Sequence, residues 1–98
     1  MTAPYAWTIT KDTLADPNDK PGTNLNAVGV IGPRNTDKTH EEIVKQGKAF
    51  RMYDDDGELY YEGRIMGDYD GFEPLDDFGT PNAGATEIKY WENGWKTL

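Results

Sequence analysis

Ninety-eight residues with a formal charge of −8, 36% of them hydrophobic and 12% aromatic, suffice for one small core and are too aromatic for a disordered chain. There is no Ser and no Cys, and His40 is the only histidine, which excludes Ser-His-Asp and Cys-His nucleophiles, disulfides and His/Cys zinc sites within the chain. No stretch approaches the ~20 apolar residues of a membrane span, and the first residues lack the charged-then-apolar build of a secretory leader. The expectation is a cytoplasmic protein with one domain, residues 1–98.

Tyr5, Trp7 and Ile9 alternate with Ala6, Thr8 and Thr10 and predict a half-buried strand. Residues 16–26 are rich in Pro, Gly, Asn and Asp and read as a loop. Residues 27–32 (AVGVIG) read as a short apolar strand ended by Pro33. Thr39-His40-Glu41-Glu42 matches a capping box and opens a short helix through Lys48, with Ile43 and Val44 on its inner face and His40 as an exposed polar residue.

Residues 49–65 are the clearest element, a hairpin. Asp56-Gly57 predicts a two-residue turn with positive φ at both positions. Pairing outward sets Asp55 opposite Glu58, Asp54 opposite Leu59, Tyr53 opposite Tyr60, Met52 opposite Tyr61 and Arg51 opposite Glu62. Phe50, Met52, Leu59, Tyr61 and Ile65 then share a core face, while the other face carries an Arg51–Glu62 charge pair and a Tyr53–Tyr60 aromatic pair.

Residues 67–84 read as an ordered loop pinned by Phe72, Leu75 and Phe78, with a helical turn opened by Pro74 and closed by Gly79 and the acids facing water. A hairpin around Asn93-Gly94 closes the chain, its register open between a two- and a three-residue turn. The fold class is α+β: an antiparallel sheet of about five to six strands, in the order β-β-α-β-β-loop-β-β, with one short helix packed on it. Tyr5–Thr10 and Trp95–Leu98 are candidate edges, so monomer and homodimer are both open.

Charge is the most informative feature. Residues 54–77 hold Asp54, Asp55, Asp56, Glu58, Glu62, Asp68, Asp70, Glu73, Asp76 and Asp77 against Arg64 alone, so this window carries −9 and the other 74 residues +1. As an EF-hand loop the window fails: with Gly57 sixth, Met52 is first and Gly63 twelfth, and with Gly71 sixth, Met66 is first and Asp77 twelfth. Asp68, Asp70, Asp76 and Asp77 remain as oxygen donors for a different Ca²⁺ site. Nothing marks a carboxyl as buried in the way a general acid requires, so catalytic residues are not expected.

A negative field repels phosphates and attracts a basic protein surface. The expected function is therefore non-enzymatic binding of a basic site on a partner protein, itself a candidate nucleic-acid-binding enzyme, through the ten carboxylates with Tyr53 and Tyr60 as aromatic contacts. In size and charge alone, the chain is similar to the small acidic inhibitor proteins of phages and plasmids that imitate nucleic acid; that similarity implies an inhibitor acting as a DNA mimic. The alternatives are a Ca²⁺-binding module and a solubilising face with no dedicated partner.

Overall fold

The structure, a computed structural model, describes residues 2–16, 18–22 and 26–98. The loop expected over residues 16–26 therefore lies partly outside the described residues. One antiparallel sheet organises the chain. Its strands are β1 (Tyr5–Asp12), β2 (Ile31–Gly32), β3 (Lys48–Tyr53), β4 (Leu59–Gly67), β5 (Glu87–Trp91) and β6 (Trp95–Thr97), in the order β2-β1-β4-β3-β5-β6. The α+β class and the chain order of strands hold. The strand expected over 27–32 shrinks to Ile31–Gly32, because the chain turns at Val28-Gly29. β1 is consequently not an outer strand, although β2 pairs only with its Trp7 and Thr8.

Helix α1 (His40–Gln46) starts where the capping box places it: Thr39 Oγ1 accepts from the Glu42 N–H at 3.2 Å. It ends at Gln46, two residues short of expectation, with Gly47 as its cap, and Lys48 opens β3. Ile43 is fully buried and Val44 half-buried. Arg64 donates to the Gly47 carbonyl at 3.2 Å, satisfying an acceptor just past the helix end. His40 is half-buried rather than exposed, with Nδ1 2.7 Å from Oγ1 of the fully buried Thr8.

This helix lies over β1 and β4, on the face opposite the main core. The core holds Trp7, Ile9, Phe50, Met52, Tyr61, Ile65, Ile88 and Tyr90, and its cover is the segment after β4, through Leu75, Phe78 and Ala85. The loop read as a connection thus forms a layer of the fold. Its helical turn also runs further than expected: a π-helical turn (Leu75–Gly79) passes directly into a second short helix, α2 (Thr80–Ala83), which ends at Gly84. Pro81 lacks the N–H that would bond the Asp77 carbonyl, and the preceding turn closes with the wider bond from Thr80 N–H to the Leu75 carbonyl.

The β3–β4 hairpin departs from expectation in two compensating ways. Its turn has three residues, with the Gly57 N–H donating to the Asp54 carbonyl at 3.1 Å and the Asp54 N–H to the Glu58 carbonyl at 3.0 Å. Only Gly57 takes a positive φ, +81°, the pattern of a type I turn followed by a glycine bulge. Asp54 therefore faces Glu58, and Tyr53 faces Leu59. A bulge at Tyr60 then restores the expected pairs Met52–Tyr61 and Arg51–Glu62. Around the bulge the roles exchange: Tyr60 packs against the core, and Leu59 does not belong to it.

In the C-terminal hairpin Trp91 pairs with Trp95 across the three-residue loop Glu92–Gly94. The two indoles meet edge to face, 5.5 Å apart, and the Arg51 guanidinium covers Trp95 at 4.1 Å. These contacts account structurally for the exposed Trp91 and the half-buried Trp95.

Candidate partner-binding surface

The carboxylates divide by what they already hold. At the hairpin tip, Asp54 Oδ1 accepts from the N–H groups of Asp56 and Glu58, each at 2.9 Å. Those backbone donors, Glu58 foremost, keep its carboxyl below the usual carboxylate range. Asp54 is thus the side chain that builds the turn. Asp55 accepts from Thr86 Oγ1 at 2.6 Å, tying the tip to the start of β5. Glu62 pairs with Arg51 at 2.6 Å, as the register requires.

Beyond β4, Glu73 reaches back to accept from the N–H groups of Asp70 and Gly71, each at 2.7 Å. Burial works against its charge, but those donors prevail and hold its carboxyl below the usual range. Asp77 Oδ2 accepts from the Tyr5 hydroxyl at 2.8 Å and from Trp7 Nε1 at 3.0 Å. It joins the covering segment to β1.

Asp56, Glu58, Asp68, Asp70 and Asp76 remain. All are exposed, and none makes a side-chain hydrogen bond or ion pair among the described residues. They form two groups. β4 has nine residues, which at ~3.3 Å each separate its ends by ~26 Å. The tip sits at the Leu59 end. Asp68 follows the Gly67 end, where its N–H bonds the Pro4 carbonyl at 2.9 Å. The five unengaged acids therefore make two poles, not one patch, and Glu62 lies mid-strand between them.

The aromatic pair assigned to this surface is also parted. Lys89 lies 4.9 Å from the centre of the Tyr53 ring. Tyr60 lies against Asp54, whose carboxylate pushes its hydroxyl pKa up. Phe72, expected as an anchor of the loop, is instead 48% exposed. The every-third-residue spacing of Phe72, Leu75 and Phe78 hid this, because Phe72 precedes the helical run.

Among the described residues no three Asp, Glu or His side chains converge as a metal site would require, and Asp77 is already committed to Tyr5 and Trp7. The carboxyl groups whose pKa moves, Asp54, Glu73 and Glu92, all move down. A general acid needs the opposite shift. No described helix is long and apolar enough to cross a membrane. The chain matches no protein-family model, no curated protein and no solved structure.

Tyr5 makes the Asp77 contact visible to pH. Burial first, and then the bond to Asp77, push its hydroxyl from near 10 up to about 12. An unfolded chain releases that proton near 10, so the stabilisation is complete below pH 10 and is lost as pH climbs through about 12. Burial pushes Tyr90 and Tyr61 in the same direction. The alkaline fall in melting temperature should therefore be shallower in Tyr5→Phe yet still present. An unchanged slope in thermal melts across this range would refute the contribution of Tyr5.

Proposed function

We propose that the chain is a non-enzymatic binding protein that engages a basic surface of another protein, as an inhibitor would that occupies the nucleic-acid groove of an enzyme. The supporting observation is the five exposed carboxylates that make no side-chain hydrogen bond or ion pair among the described residues. A charge used inside the protein has a structural reason; Asp56, Glu58, Asp68, Asp70 and Asp76 have none of that kind, and they stand in a window of −9. The two poles, ~26 Å apart by strand rise, span about as much as seven or eight base pairs at ~3.4 Å each. Cationic grooves built for a duplex offer charges on that scale.

The test is capture from host lysate at low and high salt, by the native chain and by a variant with Asp56, Asp68, Asp70 and Asp76 changed to Asn and Glu58 to Gln. Because these five side chains make no hydrogen bond or ion pair among the described residues, the variant should melt as the native protein does. A specific partner should be retained at low salt, released at high salt and lost at least about tenfold in affinity with the variant. Salt-insensitive capture, or equal capture by the variant, would remove the proposal in favour of a merely solubilising face.

A further inference from the structure

We infer that the docking surface is the Gly67 end of the sheet, and that its occupant is a basic protein segment presenting an apolar side chain to Phe72 and Leu98. This rests on the reading of the chain as an acidic binding protein and decides which pole is used. Phe72 and Leu98 are two of the four large apolar side chains left exposed among the described residues, at 48% and 49%. They are neighbours through Gly71: a Cβ added there would lie 2.4 Å from Leu98 Cδ2, so the leucine rests directly on the backbone next to Phe72.

Beside them opens a groove of about 210 Å³ with Tyr69 and Tyr90 in its lining. These rings stack at 6.2 Å and 18°, and the Tyr90 hydroxyl donates to the Gly71 carbonyl at 2.6 Å. Lys48, paired with Glu92 and 5.5 Å from the centre of the Tyr90 ring, also lines the groove, with Asp70 and Lys96. Phe72 is held on a fixed turn. Its carbonyl accepts from the Asp76 N–H at 2.8 Å, and Glu73 clamps the two amides before it. A ring displayed on a rigid backbone loses little freedom when it is covered.

Charge identifies the occupant. Asp70 lines the groove, and Asp68 and Asp76 lie four residues to either side of Phe72. All three are exposed and without a side-chain bond among the described residues, so a basic segment complements this end while an anionic membrane or nucleic acid is repelled. An apolar centre with a charged rim is the usual anatomy of a protein interface. The hairpin tip lacks the centre: Tyr53 is covered by Lys89 and Tyr60 packs inward.

The test is an NMR titration of the full chain with two synthetic peptides of equal charge and length, one an amphipathic Lys/Leu helix, the other Lys/Gly. The Lys/Leu peptide should bind about tenfold more tightly and shift the amides of Tyr69–Leu75 and Leu98. Phe72→Ala should remove most of that tenfold, whereas Asp56→Asn with Glu58→Gln should change its Kd by no more than about twofold. Shifts centred on Asp54–Glu58, or Phe72→Ala binding as native, would overturn the docking surface and leave the charge-based reading standing. Failure of both peptides to bind at low salt would overturn both readings. A native dimer that Phe72→Ala dissociates would give the surface to a second copy and overturn the basic occupant.

Discussion

Gly63→Ala should destabilise the fold by about 3 kcal/mol, at the upper end of what one added methyl costs in a packed core. Gly63 lies on β4 between Ile9 of β1 and Phe50 of β3. A Cβ there would sit 2.3 Å from the Thr8 carbonyl oxygen and 2.5 Å from Phe50 Cζ. The first is a backbone atom inside a ladder, and it cannot move aside without breaking the β1–β4 pairing. The second belongs to a fully buried ring laid over the glycine, an arrangement that compensates a strand for its missing side chain.

Phe50→Ala should lose about 3–5 kcal/mol by emptying that slot, a large part of the ~5–15 kcal/mol available to a domain of this size. The double variant should cost less than the sum, because removing the ring relieves half of the clash. Urea unfolding with an unchanged m-value measures all three. A Gly63→Ala midpoint within about 0.5 kcal/mol of native would show that the sheet yields where it is described as rigid.

Asp77→Ala should cost about 2 kcal/mol although the carboxylate is exposed. Its loss strands the indole N–H of Trp7, a residue only 3% exposed, as well as the Tyr5 hydroxyl. Asp77→Asn keeps an acceptor and should cost about half as much. Tryptophan fluorescence during thermal unfolding separates the two variants, and native stability in Asp77→Ala would disprove the anchoring role. The result also bears on function. Removing all ten carboxylates would loosen the covering segment through Asp77 and the tip through Asp54. Only the five unengaged acids test binding cleanly.

Much of the fold was legible because it rests on local rules. The capping box at Thr39 placed α1, and alternation from Phe50 to Ile65 placed Met52 and Tyr61 on the hairpin's core face and the Arg51–Glu62 pair on the other. The turn was misread because Asp-Gly suits two geometries. A two-residue turn would hold Asp56 at positive φ, whereas the three-residue turn spares it and lets Asp54 bond two backbone amides. Residues 67–84 were hardest, because Gly, Pro and Asp signal a loop whether or not it becomes a layer of the structure. The roles of Asp77 and Glu73 depend on partners that composition does not reveal, one of them more than seventy positions away.

The bulge at Tyr60 also governs how such a chain can change length. Tyr53 pairs with Leu59 and Met52 with Tyr61, so the ladder steps over Tyr60. Losing that residue would forfeit its own packing yet leave every other side chain of β4 on its present face. Losing any residue between Tyr61 and Met66 would send all that follow it to the opposite face, with Ile65 and then the register to Tyr5 among the casualties. Insertions and deletions in this hairpin are therefore admissible at one point along β4, and that point lies next to the acidic tip.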